Sequence, residues 1–393
     1  MVYDFDTFVS RDQTNSVKWE FMQMFEPKAT PETIPMWVAD MDFPCAQPIL
    51  EALHKRVDRA IFGYSSHHTS EYYRAVCGWF QRRFNWNVDS VSIVFSPGVV
   101  PAIGYLIDLL TEPGDGVIIQ PPVYYPFKSK IEVYGRKVVN NPLLYQNGTY
   151  SMDYEDLELK AKDPKNKLLI LCSPHNPVGR VWSKEELQTL GDICFQHNVF
   201  IISDEIHFDL VRKGVIHTPL EKLFPKQKER IITTTAPSKT FNLAGLQLAN
   251  IIIHDPEIRD KWYAYVRDRL SINGPNALSI VAAQAAYTHG EEWLEAVLAY
   301  LDENIKFLQS FLAKHLPKVK LVPLEGTYLA WLDFTAYGFP QEELVRRIVH
   351  EAKVLLEDGT LFGEEGKGFM RMNIATTRSI LDEALARMAK VLT

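Results

Sequence analysis

Short apolar, β-branched runs alternate with longer amphipathic stretches through the middle of the chain. VSIVFS at 91–96, GVIIQ at 116–120, KLLILCS at 167–173, VFIISDEI at 199–206, RIITTT at 230–235 and LANIIIH at 248–254 read as strands. Between them lie helical patterns such as KEELQTLGDICFQHN at 184–198, introduced by Ser183 as an N-cap. Strands that are apolar throughout must be buried on both faces, which predicts a mostly parallel sheet sandwiched by helices. The pattern changes after about residue 285. EEWLEAVLAYLDENIKFLQSFLAKHL at 291–316 predicts a long helix, TYLAWLDF at 327–334 a strand and QEELVRRIVHEAK another helix. GFMRMNIA and LDEALARMAKVL then predict a closing strand and helix. Three regions result: an extended arm over 1–45, a large α/β domain over 46–285 and a smaller α+β domain over 286–393. The arm is rich in Trp, Met, Phe and Pro and is expected to lie over the small domain or a partner subunit.

Composition narrows the function classes. A chain of 393 residues, 46% hydrophobic and 12% aromatic, suits a compact protein too long for one ordinary core. The net charge of −7 argues against a nucleic-acid or anionic-membrane surface. No stretch approaches the roughly eighteen apolar residues of a membrane span. MVYDFDTFVSRDQ carries acids and no apolar segment, so no signal peptide is expected. Cys45, Cys77, Cys172 and Cys194 share neither a C-x-x-C nor a zinc-ligand spacing. They read as small core residues in a reducing cytoplasm, and no metal site is expected.

Open α/β sheets keep their ligands at the strand ends, so the residues just past each strand carry the chemistry. After VSIVFS come Pro97, Gly98, Val99 and Val100, opening a helix whose free N–H groups and dipole suit a phosphate. After GVIIQ comes PPVYYPF, which offers Tyr124 or Tyr125 to stack on a flat ring. KLLILCS leads to SPHNPVGR with Asn176 between two prolines, and VFIISDEIH ends on Asp204, Glu205 and His207. RIITTT delivers Ser238 and Lys239, and GFMRMNIA holds Arg371 in an apolar strand. A buried ammonium or carboxylate is costly unless it is paired or discharged. One object would use the whole set: a heteroaromatic ring with an aldehyde, a basic nitrogen and a phosphate. That object is pyridoxal 5'-phosphate. Lys239 would form the Schiff base, Asp204 would hold the ring nitrogen protonated, and Tyr124 would cover one face. Asn176 would donate to the phenolic oxygen, the Gly98 turn with Ser238 would take the phosphate, and Arg371 would bind a substrate carboxylate.

The order Asn176, Asp204, Lys239, Arg371 resembles the fold type I pyridoxal phosphate enzymes of the class I/II aminotransferase group. SVKWE, PMWVADMDFP at 35–44, IFGYSS at 61–66, FSPGVVPAI, CSPHNPVGR, ISDEIH and APSKTFNLAGLQ are most similar to its MalY/PatB-type cystathionine β-lyases. The likeness runs over essentially the whole chain. It implies further roles: His207 near the phenolic oxygen, where aspartate aminotransferases usually place a tyrosine, and backbone near Ala39 helping Arg371 with the substrate. Gly98, Val99 and Ser238 match phosphate-binding positions. Tyr64 resembles a tyrosine that reaches the phosphate, and so the substrate, of a neighbouring subunit, which implies a homodimer. Two positions depart from the aminotransferase pattern. Gln247 stands where many have an arginine on the phosphate, and Ala236 where a serine is frequent.

The implied activity is β-elimination on L-cystathionine or other cysteine S-conjugates, yielding a thiol, pyruvate and ammonia, with Lys239 as general base. Two alternatives stay open: transamination in the same site, and a regulatory binding role without catalysis.

Overall fold

The computed structural model describes residues 3–392. Seven strands form one sheet: β1 (Ile93–Ser96), β2 (Gly116–Ile119), β3 (Lys137–Asn140), β4 (Asn166–Cys172), β5 (Phe200–Asp204), β6 (Ile231–Thr235) and β7 (Ala249–Ile253). Their order is β1-β7-β6-β5-β4-β2-β3. β7 is antiparallel to both neighbours and the other pairs are parallel. Side chains alternate between two cores. Leu168, Ile170 and Cys172 of β4 pack with the helices Val99–Leu110 and Pro126–Val133, whereas Leu169 and Leu171 pack with Tyr154–Ala161 and Lys184–Gln196. Burial on both faces is what the unbroken apolar runs required.

A second, antiparallel sheet contains β8 (Lys320–Leu321), β9 (Leu329–Asp333), β10 (Glu357–Asp358) and β11 (Phe369–Asn373), in the order β8-β9-β11-β10. The helices Glu291–His315 and Arg378–Leu392 share an apolar core with it. Helix Lys184–Gln196 starts at Ser183, whose Oγ accepts from Glu186 N–H while the Glu186 carboxylate accepts from Ser183 N–H, a capping box. The region read as one helix from Gln341 is instead α-helical only over Gln341–Val345 and then π-helical over Arg346–Glu351.

The N-terminal segment is tied to this chain's own second sheet through the Met36 carbonyl, which accepts from Asn373 N–H at 2.8 Å, and forms a separate two-stranded sheet beside it. Ile34–Pro35 pairs in parallel with Val354–Leu355. Asn373, 1% exposed, donates through Nδ2 to the carbonyls of Val38 (2.6 Å) and Asp40 (2.7 Å), and its Oδ1 accepts from Ala375 N–H (2.8 Å). One amide therefore fixes the course of residues 38–40 at the junction of the two sheets. Asn373→Ala removes three hydrogen bonds, leaving the Ala375 N–H without a partner and the Val38 and Asp40 carbonyls with only Asp40 N–H and Lys18 Nζ, and should lower stability by roughly 3 kcal/mol. The checks are the urea midpoint and faster proteolysis within residues 3–45.

Candidate active site

The ends of β4, β5 and β6, with the start of helix Val99–Leu110, meet around a cavity of about 190 Å³. Ala39, Gly98, Val99, Val100, Tyr124, Asn176, Asp204, His207, Ser238 and Lys239 all line it. They arrive on six separate stretches of chain, at 39, 98–100, 124, 176, 204–207 and 238–239. Lys239 sits in the short helix Pro237–Thr240 that follows β6.

Two consecutive carboxylates at the end of β5 have opposite circumstances. Glu205 is fully satisfied: Oε1 accepts from Ser203 Oγ (2.8 Å) and Leu220 N–H (3.0 Å), and Oε2 shares a hydrogen bond with His217 Nε2 (2.8 Å). Asp204 is 4% exposed, and only its Oδ1 is engaged, by Ile206 N–H and Thr234 Oγ at 3.2 Å each. Burial therefore pushes its carboxyl up to about 7, an effect that those two donors and the Lys239 charge only partly offset. A cation placed in the cavity would restore its ionised form.

Lys239 Nζ donates to the Ala39 carbonyl at 2.6 Å. Burial lowers its ammonium to about 8, with Asp40 pulling the other way and Arg371 adding to the lowering. At pH 7 about a tenth of Lys239 would be neutral, far more than for an ordinary lysine, as a nucleophile or base needs. His207 is 3% exposed and is held well below the usual imidazole range, first by burial and then by Lys239 and Arg371. It is a neutral ring whose Nδ1 has no partner.

Arg371 stands beside the cavity, not among its lining residues. Its Nη1 donates to Asn176 Oδ1 (2.9 Å) and its Nη2 to the Trp37 carbonyl (3.0 Å), while its guanidinium lies over the Phe362 ring at 4.9 Å. Nη2 also forms an ion pair with Glu357. Asn176 thus links Arg371 to the cavity.

Helix Val99–Leu110 has Gly98 as its N-cap and receives no side-chain cap. Pro101 has no N–H to offer, so Val99 and Val100 present the open donors of the first turn toward the cavity. Ser238 faces the same cavity. Tyr64 does not join it. Its side chain is fully exposed, in a segment with exposed Ile61 and Phe62, beside a separate cavity formed with Ser271–Leu278.

Sequence reasoning missed Cys172, Ile206 and Leu248 as lining residues, together with Tyr328, whose hydroxyl donates to the Ala39 carbonyl at 2.9 Å. Tyr328 precedes β9, and a strand-end tyrosine gives no signal until the two sheets are seen together. Gln247, noticed only as a departure from the aminotransferase pattern, also lines the cavity. The set fits pyridoxal phosphate on structural grounds: a buried carboxylate awaiting a cation, a buried amine that loses its proton more easily than an ordinary lysine, and uncapped N–H groups. Among the described residues no group of His, Cys, Asp and Glu could hold a metal ion, and no helix is long and apolar enough to cross a membrane.

The family described as aminotransferase class I and II matches residues 33–388. The chain is 45% identical to cystathionine beta-lyase PatB of Bacillus subtilis (strain 168), over 99% of this chain and 100% of that protein. It is 33% identical to protein MalY of Escherichia coli (strain K12), over 98% of this chain and 97% of that protein. The crystal structure of cystalysin from Treponema denticola, which contains pyridoxal 5'-phosphate, superimposes with a TM-score of 0.95. It is 38% identical and covers 100% of this chain and 99% of that one.

The raised Asp204 carboxyl has a stability signature. Between 3.8 and about 7 the folded, cofactor-free protein keeps a proton that the unfolded chain has lost, so its stability falls as pH rises through that window. Asp204→Asn preserves the Oδ1 acceptor and removes the charge. The cofactor-free variant should exceed the cofactor-free parent at pH 8 by as much as about 4 kcal/mol, with the gap closing near pH 4. Urea midpoints at the two pH values check this.

Proposed function

The chain belongs to the class I and II aminotransferase family, and within it we propose that it is a pyridoxal phosphate-dependent carbon–sulfur lyase. It would convert L-cystathionine and water to homocysteine, pyruvate and ammonia, and would act on other cysteine S-conjugates in the same way. The observation that carries the reading is the pairing, in one cavity, of an amine lowered to about 8 with a carboxyl raised to about 7. The full-length likeness to a named cystathionine β-lyase supports it.

The cofactor, when bound through its aldehyde, supplies an electron sink for negative charge released at the substrate Cα. The protein does the rest. Arg371, oriented by Asn176 and the Trp37 carbonyl, binds the α-carboxylate and fixes which bond at Cα stands across the ring. Lys239, once the substrate amine had taken its place, would accept the Cα proton at Nζ. Asp204 would hold a proton on the ring nitrogen through its free Oδ2, which would compensate its own buried charge. Tyr124 covers the ring, and the N–H groups of Val99 and Val100, with Ser238, hold the phosphate against the helix dipole. With the Cα proton on Lys239, the Cβ sulfur would leave as thiolate, and water would release pyruvate and ammonia from the remainder.

A homodimer completes this reading. Tyr64 in an exposed apolar loop would reach the phosphate of a second copy, with the enzyme acting in the cytoplasm. That fits a tyrosine that is wholly exposed in the single chain.

Purified holoprotein should release pyruvate and homocysteine from L-cystathionine in equal amounts without any 2-oxo acid. Turnover that demands a 2-oxo acid, with amino-group transfer, would overturn the lyase assignment in favour of transamination. Lys239→Ala should lose at least about 10³-fold in kcat. For the dimer, mixing inactive Lys239→Ala with inactive Tyr64→Ala protein, under conditions that exchange subunits, should restore part of the activity. A hybrid then carries one site with both native residues. No recovery from exchanged subunits would exclude a shared site.

A further inference from the structure

Arg371 is the group that the proposed function assigns to the substrate's α-carboxylate, yet a carboxylate is already on it. β10 and β11 set Glu357 directly opposite Arg371 in antiparallel register. Glu357 is 7% exposed, and its Oε2 forms an ion pair with Arg371 Nη2. The pairing leaves a donor over: the buried Nε of Arg371 has no hydrogen-bond partner. An edge of the guanidinium is thus neutralised in charge while its donors are not used up. A two-pronged carboxylate would make better use of that edge than Glu357 does.

Electrostatics then forces a choice. One guanidinium in a dry site cannot compensate two carboxylates, so an arriving α-carboxylate must compete with the resident one. The groups bearing on Glu357 are Arg371 and Lys239, and Tyr124 and Tyr125 lie within its field. Burial pushes the Glu357 carboxyl above the usual range despite Arg371. A carboxylate so placed gives up its charge more readily than one in water. Lys239, once committed to the cofactor, no longer offers a free ammonium to stabilise it.

Resting on the assignment of Arg371 as carboxylate anchor, we propose that Glu357 is an internal competitor for the substrate carboxylate and so sets the affinity of the site for amino acids. It keeps Arg371 neutralised between turnovers and yields its place to the α-carboxylate on binding. Removing its charge strengthens carboxylate binding, whereas a residue that merely braces Arg371 would weaken binding when altered.

Propanoate tests this, because it carries the carboxylate but no amine to react with the cofactor. Its dissociation constant is measured by calorimetry on holoprotein of the parent, Glu357→Gln and Arg371→Lys, with thermal melting to verify folding. At pH 8 the Glu357→Gln protein is expected to bind propanoate roughly tenfold more tightly than the parent. The advantage should shrink at lower pH as the parent's Glu357 takes up a proton. Equal or weaker binding by Glu357→Gln, with Arg371→Lys clearly impaired, overturns the competition while leaving the anchor in place. Unaltered binding by Arg371→Lys overturns the anchor assignment and the inference with it. Should the amide variant fail to fold, Glu357→Asp draws the carboxylate back by one methylene. It is expected to bind about threefold more tightly, and no gain there overturns the proposal.

Discussion

An unpaired carboxylate buried at the end of a parallel strand is the constraint around which this protein is organised. β5 cannot avoid presenting polar groups where it leaves the sheet, and it presents two in succession. The fold answers Glu205 completely, with a hydroxyl, a backbone N–H and an imidazole. It leaves half of Asp204 without a partner, facing a cavity. A protein that gained nothing from this would neutralise Asp204 as it does Glu205, since an unmet buried charge costs several kcal/mol. The same contrast appears elsewhere. Glu221 meets Trp86 and His254, and Asp209 meets Trp79 and Thr240. Saturated networks brace the structure, and the unsaturated group marks where a ligand must come.

The second sheet and the N-terminal segment convert that local demand into a closed site. Residues 37–40 run between the sheets, and their carbonyls are spoken for in turn: Trp37 by Arg371, Val38 and Asp40 by Asn373, and Ala39 by both Tyr328 and Lys239. A strand of the second sheet and the key lysine of the first are therefore tied to one stretch of backbone. Were Lys239 to engage the cofactor as proposed, it would release Ala39 and leave Tyr328 as that carbonyl's partner. The arm can stay in register while the amine moves. Such redundancy suits a segment that has to hold Arg371 steady while the residue opposite changes its bonding.

The legible parts of the sequence were those with a strong physical signature. Strands buried on both faces carry continuous apolar runs, and β4 to β7 follow those runs to within a residue or two. Ser183 announced a helix N-cap, and the structure adds Glu186 to make it a capping box. β3 escaped because KVVN sits at the sheet edge, half-buried, with polar ends. The hairpin Leu144–Gln146 with Thr149–Ser151 was readable and overlooked. Asn147-Gly148 takes φ of 53° and 81°, the positive pair that such a tight turn needs. The π-helical turn at Arg346–Glu351 was not readable, because local periodicity does not distinguish it from an α-helix. In the site, Asp204, Lys239 and Arg371 stood out as polar residues beside apolar ones, and Asn176 for its place between two prolines. Glu357 had no such contrast. LLEDG reads as an exposed acidic turn, and only the register of two short strands brings its side chain onto Arg371.

Gln247 and Ala236 bear on which chemistry the site favours. Gln247 lines the cavity and carries no charge, and Ala236, 1% exposed, cannot donate a hydrogen bond from its side chain. The phosphate would then rely on backbone N–H groups, Ser238 and the helix dipole, none of them a full positive charge from this chain. Within a single chain such a cradle underprovides for a dianion. The shortfall gives physical weight to a donor from outside, and the wholly exposed Tyr64 is the one that the proposed second copy would bring. Lys239 and Arg371 are then the two strong cations near the cavity, one committed to the cofactor and the other to the substrate. With so little positive charge in reserve, a carboxylate held on Arg371 is consequential. It keeps the site close to neutral before substrate arrives, and the amino acid must bring its own ammonium and carboxylate in balance to displace it.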